Sequence, residues 1–276
     1  MNFVNALRAE FAKLFTVRLW WILLLILVVY VAFIAGTFAA LFQAIPEIAA
    51  QQDPNSPPVV LEGAHLVVYS SASSIGYVFP VLLGALATTA EFRNQTLTPT
   101  FLANPRRGIV LGAKFVALAA LGALYGLVAL IGAVGAGATL LAVLGGDTGL
   151  GSADTWTFFG RILIAMALWA VIGVALGTLV RSQVAAIVIV LAFTQFLEPI
   201  LRAGSSIWEW TAQVGKFLPG AASDALVGAS IFTAFGAGGG PGVVLLEWWQ
   251  GGLVLLAIAA VAAVLGYFVT WIKDVT

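Results

Sequence analysis

Long uninterrupted apolar runs dominate the chain, and polar residues gather in the shorter stretches between them. A helix needs about 20 consecutive apolar residues to cross the hydrocarbon of a bilayer. On that measure the pattern predicts six spans, Leu19 to Phe42, Val67 to Ala90, Phe115 to Leu144, Ile162 to Val180, Val184 to Leu201 and Gly251 to Trp271, with Glu198 the one charged residue within them. The first run exceeds the roughly 7–15 residues of a signal-peptide core, so it is expected to remain as a helix. Ahead of it, Phe3, Leu7, Phe11 and Leu14 recur at helical spacing while Asn5, Ala9, Lys13 and Thr16 fall mostly opposite. That periodicity predicts an amphipathic helix within residues 1–18, lying on the membrane surface or against a partner.

Residues 202–250, between the fifth and sixth spans, hold Trp208, Trp210, Leu218-Pro219-Gly220 and a glycine-rich linker from Gly236 to Gly242. The stretch is too apolar for a solvated loop. Ser223 and Asp224 can cap a helix from about Ala225 to Phe235, too short to cross and expected to dip in and return. The fold class that follows is all-α: one polytopic domain over residues 1–276, with six transmembrane helices, an amphipathic interface helix and re-entrant outer helices.

Only 9% of the 276 residues are charged, against about a quarter in an ordinary globular domain, which excludes a soluble enzyme. Twelve Lys and Arg balance twelve Asp and Glu, leaving no basic surface for nucleic acid. With no Cys and a single His, the chain lacks the ligands for disulfides, iron–sulfur clusters and His/Cys zinc sites. His65 reads as a surface histidine. No G-x-x-x-x-G-K-[ST] cradle is present, and the glycine run Gly132 to Gly137 sits inside a span with no strand before it, so no nucleotide site is expected. Paired carboxylates and metal-ligand sets for an intramembrane enzyme are not evident.

Orientation follows from the basic residues, because short cytoplasmic loops retain positive charge. With the N-terminus inside, Arg8, Lys13, Arg18, Arg93, Arg106, Arg107, Lys114, Arg181 and Lys273 are cytoplasmic, and only Arg161, Arg202 and Lys216 are outside. Both termini are then cytoplasmic. Trp20, Trp21 and Trp271 fall at the inner interface and Trp156, Trp248 and Trp249 at the outer one, where indoles anchor spans. Gly122-x-x-x-Gly126 and Gly173-x-x-x-Gly177 point to close helix packing. Glu198 and Arg202 are one helical turn apart and either pair at the entrance of the outer segment or form a solvated interfacial pair.

The loop between the second and third spans carries Glu91, Arg93, Asn94-Gln95-Thr96-Leu97, Asn104-Pro105-Arg106-Arg107 and Lys114. Pro99 is tolerated in a first turn and Pro105 closes the run, which predicts a short helix around Thr100 to Ala103. In the order Glu91, Arg93, Thr96, Leu97, Pro105, Arg107 and Lys114, with Gln95 standing where Gly is common, the loop resembles that of the permease subunits of type-2 ABC exporters. The basic segment Arg8 to Leu14 is similar to the connecting helix of that family.

The resemblance implies a permease of a bacterial plasma membrane that pairs with a second permease subunit in the membrane lipid and recruits two copies of a cytoplasmic ATPase. ATP and Mg would sit on that partner and no cofactor on this chain. The cargo would be apolar or amphipathic: a drug, antibiotic, lipid or peptide. The resemblance further implies coupling to the ATPase through Glu91, Arg93, Thr96, Arg106 and Arg107 of the loop 91–114. It implies a substrate pathway faced by spans two and five, with Phe79, Leu83, Phe193 and Phe196 as candidates. Absent a phosphate cradle, and with spans that read as nearly empty of ionisable groups, a separate ATPase fits better than the alternative, a channel-like or ion-coupled carrier.

Overall fold

The computed structural model describes residues 2–52, 63–205, 209–234 and 246–271. Trp208, the Gly236 to Gly242 linker and Lys273 lie outside the described residues. Every regular element among the described residues is a helix, and six stretches are long and apolar enough to cross a membrane: Leu19–Pro46, Ala64–Arg93, Arg107–Val143, Ala153–Leu179, Gln183–Ser205 and Trp248–Trp271. The chain is a multi-pass membrane protein.

Helix α1 (Phe3–Thr16) starts at Asn2, whose Oδ1 accepts the Asn5 N–H at 3.0 Å. Its buried positions are Ala6, Glu10 and Leu14, so the face turned inward carries an acid as well as apolar side chains. The first span is α2 (Leu19–Gln52). The second is broken into α3 (Ala64–Ser74) and α4 (Val78–Arg93). Pro80 explains the break, because its ring clashes with the carbonyl four residues back, that of Gly76, and it supplies no N–H. The N–H groups of Ile75 and Gly76 both turn to the Ser71 carbonyl at 3.3 Å, and a Cβ at Gly76 would collide with the Ala72 carbonyl oxygen.

After the loop helix α5 (Leu97–Ala103) come the third and fourth spans, α6 (Arg107–Val143) and α7 (Ala153–Leu179). The fourth is the hub, packing against α3, α4 and α6. Small residues let the backbones close: a Cβ at Gly122 would meet Met166 and Ala170, and one at Gly173 or Gly177 would meet Val81 or Ala85. Both Gly-x-x-x-Gly pairs are therefore used within the chain. Trp169 fills the centre at 2% exposure, stacked on Tyr77 at 4.3 Å.

The fifth span is α8 (Gln183–Ala192), a π turn over Phe193–Leu197, and α9 (Glu198–Ser205). Buried Ala186, Val190, Thr194, Glu198 and Arg202 recur every four residues. Four-residue steps drift about 40° each around a 3.6-residue helix, and the wider π turn absorbs part of that drift, keeping Glu198 and Arg202 on the inward stripe. Then follow α10 (Glu209–Gly215), α11 (Pro219–Val227) and α12 (Ile231–Ala234), and α13 (Trp248–Gly266) with a terminal π turn over Tyr267–Trp271 forms the sixth span. The outer helix thus differs from the Ala225 to Phe235 expected. Pro219 opens it at a position that needs no N–H, and Gly228 closes it with φ 97°, which leaves Asp224 inside the helix rather than capping it.

Candidate functional site

At the end of the bundle that holds α1, the starts of α6 and α8 and the end of the sixth span, four charges from three helices meet. Lys13 Nζ lies 2.7 Å from Glu10 Oε1 and 2.8 Å from Glu91 Oε1, and Lys114 Nζ lies 2.6 Å from Glu10 Oε2 and 3.2 Å from Glu91 Oε1. Glu10, Glu91 and Lys114 are buried, and Lys13 is part-exposed. Burial alone would raise the Glu10 carboxyl, but Lys114 and Lys13 outweigh it and hold it below its usual value. Burial likewise opposes the Lys13 charge, and Glu91 and Glu10 outweigh it and push the ammonium up. The sequence pattern placed Glu91 and Lys114 at span ends and Glu10 and Lys13 in the amphipathic segment without pairing them; their separation along the chain, 104 residues between Glu10 and Lys114, hides the ring.

The structure therefore turns Glu91 inward, onto two lysines of its own chain, rather than toward solvent. Arg93 Nη1 donates to Gln183 Oε1 at 2.9 Å, joining the loop to the start of the fifth span. Thr96 is exposed, and its hydroxyl lies 3.5 Å from the Glu91 carbonyl. Gln95 takes a positive φ of 53°, the conformation that Gly adopts without strain, so the turn keeps its shape with a side chain in place. The loop helix forms over Leu97–Ala103, somewhat longer than the turn expected.

Arg107 and Trp271 brace that helix. The Arg107 guanidinium sits 4.9 Å over the Phe101 ring and donates to the Trp271 carbonyl at 3.3 Å, while Trp271 Nε1 donates to the Arg107 carbonyl at 3.2 Å. The Trp271 ring meets Phe101 and Phe92 edge-on at 5.6 and 6.0 Å. At 1% exposure Trp271 is a structural bolt and not the interfacial anchor expected. What the loop presents outward is Leu102, 80% exposed, beside exposed Arg106.

The four pathway candidates do not converge within the chain. Leu83 is buried and lines a cavity of about 420 Å³ beside the charge ring, with Leu14, Trp20, Leu86 and Arg93. Phe79 is half-buried, 6.2 Å from the Tyr30 ring. Phe193 is half-buried and Phe196 is 67% exposed, both in the π turn of the fifth span.

At the opposite end, Glu198 and Arg202 pair as expected at 3.2 Å but are buried, not solvated, and a third member joins them: Arg202 Nη1 lies 2.6 Å from Asp224 Oδ2 of α11. The spans are thus not empty of charge. Asp224 Oδ1 faces Ser74 Oγ at 3.4 Å, and Trp169 Nε1 donates to the neighbouring Ser223 Oγ at 3.0 Å. His65 is half-buried, its Nδ1 3.9 Å from Asp147.

Gly220 N–H donates to Glu198 Oε1, and a Cβ there would collide with that oxygen and with Arg202 Nη2. Gly220→Ala is accordingly expected to lower stability by about 1–3 kcal/mol, whereas Gly204→Ala, with open space around it, should be neutral or mildly stabilising. Thermal unfolding of both variants checks this, and equal melting would show the triad to be loosely packed. No family model matches the sequence, and no curated protein matches it.

Proposed function

We propose that this chain is the membrane-spanning permease subunit of an ATP-driven exporter of the type-2 ABC kind, moving an apolar or amphipathic cargo and powered by a separate ATPase. The observation that carries the reading is the loop helix: a short helix held rigidly to the ends of the second, third and sixth spans, offering an apolar tip at Leu102. A lever of that build passes movement of a docked subunit to three spans at once. Arg106 then pairs with ATPase acids or lipid phosphates, while Arg107 stays on Phe101 and the Trp271 carbonyl and Glu91 holds the root of the lever through its lysines. Two ATPase copies, with their ATP and Mg, and a second permease complete the assembly. In this reading Phe193 and Phe196 of the fifth span line a cavity shared with the second permease, Phe196 being 67% exposed on this chain. The membrane is a bacterial plasma membrane with both termini in the cytoplasm.

A second reading, an ion-coupled carrier, draws on the buried triad of Glu198, Arg202 and Asp224, since intramembrane charge is the device such carriers use.

The lever works only if its loop faces the cytoplasm. The chain has no Cys, so single cysteines report cleanly: Ser152→Cys is expected to react with an impermeant reagent from outside, and Ser182→Cys only after the cells are opened. The reverse pattern would overturn the orientation and the ATPase-docking role with it.

A further inference from the structure

The ion-pair ring near α1 balances two acids with two bases, but the outer triad sets two carboxyls against one guanidinium, and each of the three is at most 8% exposed. A net negative charge buried there is costly unless something neutralises it. The hydrogen bonds say where. Asp224 is supplied on both oxygens, Oδ2 by Arg202 Nη1 at 2.6 Å and Oδ1 by Ser74 Oγ at 3.4 Å. Glu198 Oε1 accepts from Arg202 Nε at 3.3 Å, Arg202 Nη2 at 3.2 Å and the Gly220 N–H. Glu198 Oε2 has no partner among the described residues, although Glu198 is 1% exposed.

We infer that the triad of Glu198, Arg202 and Asp224 binds a single proton, carried on Glu198 Oε2. Asp224 stays ionised against Arg202, and Glu198 is a neutral acid whose Oε1 serves as a carbonyl acceptor, so the cluster is uncharged as a whole. The remaining ionisable neighbours leave that balance in place. Tyr77, from the second span, donates its hydroxyl to the Thr194 carbonyl at 3.4 Å. Lys216, between α10 and α11, is half-buried and turns its ammonium to Gln213 at 2.7 Å. Arg161 of α7 stacks its guanidinium on Trp248 at 5.1 Å. A cavity of about 190 Å³, lined by Arg202, Asp224, Lys216, Ser205 and Leu246, reaches the Arg202 and Asp224 members of the triad. Release of the proton leaves two carboxylates sharing one guanidinium, and the repulsion falls on α11, the helix that Asp224 and Gly220 dock against the fifth span.

The test is infrared spectroscopy of the full chain in lipid nanodiscs at about pH 7, where an exposed carboxyl of pKa ~4 is ionised. A carbonyl stretch from one protonated carboxyl is expected, moving to lower frequency when glutamate is ¹³C-labelled and unmoved when aspartate is. Asp154→Asn, at an exposed position, should leave the band, and Glu198→Gln should remove it. Asp224→Asn should remove it as well, because Glu198 then ionises opposite Arg202. Absence of the band in the unaltered chain, a shift with aspartate label alone, or a band that survives Glu198→Gln would each overturn the assignment. The labelling arm uses the unaltered chain and holds even if a variant fails to fold.

Discussion

Lys114→Met is expected to destabilise the protein by about 3–5 kcal/mol, the cost of breaking a buried ion pair and leaving charge behind. Lys114 is 2% exposed, and its loss strips Glu10 Oε2 of its donor and leaves both acids to Lys13. Arg93→Met, which removes an exposed partner of Gln183, should cost no more than about 1 kcal/mol. Thermal unfolding in the same detergent checks the contrast, and similar melting temperatures would mean that the ring does not hold α1 to the second and third spans. Its pH dependence has a definite sign. Glu10 has a lowered pKa, so its contribution is present above its ordinary value of 4.5 and is lost as pH falls through the lowered one. Lys13 has a raised pKa, so its contribution is present below 10.5 and is lost as pH rises through the raised one. Stability should therefore fall off at both the acid and the alkaline end.

Trp271→Ala is expected to have a comparable effect on stability, about 3–5 kcal/mol for a large buried aromatic, but a more local signature. The lost ring contacts Phe92 and Phe101 and the lost indole N–H holds the Arg107 carbonyl, so the loop helix Leu97–Ala103 should loosen first. Hydrogen exchange should rise across that helix while the core around Trp169 stays protected. Unchanged exchange over residues 97–103 would show that the helix is held by its own loop and not by the sixth span.

The spans were legible because crossing the hydrocarbon demands an apolar run whatever the neighbours are. The loop helix was legible too, since Pro99 and Pro105 punctuate it. What the pattern concealed is what depends on partners far along the chain. Glu91 read as a loop charge available to another subunit and Lys114 as the lysine opening the third span, and only the packing of α1 onto α6 shows that they are occupied by Lys13 and Glu10. The pairing of Glu198 with Arg202 followed from their spacing, but Asp224 belonged to a helix whose ends were misjudged. Leu218-Pro219 before it and Gly228 after it were the available signals. Trp271 sits at the end of an apolar run, where an anchor and a buried bolt have the same local sequence. The break in the second span was foreshadowed by Gly76 and Pro80, four residues apart inside an otherwise continuous run.

The proposed docking of the braced loop's apolar tip on an ATPase is tested by extracting the tagged full chain from the membranes of the cells that make it and measuring the ATP hydrolysis that co-purifies. Leu102 is 80% exposed, so Leu102→Asp should leave melting unchanged while removing the co-purifying ATPase. Hydrolysis retained at the unaltered level by folded Leu102→Asp, or no hydrolysis with the unaltered chain, would contradict it.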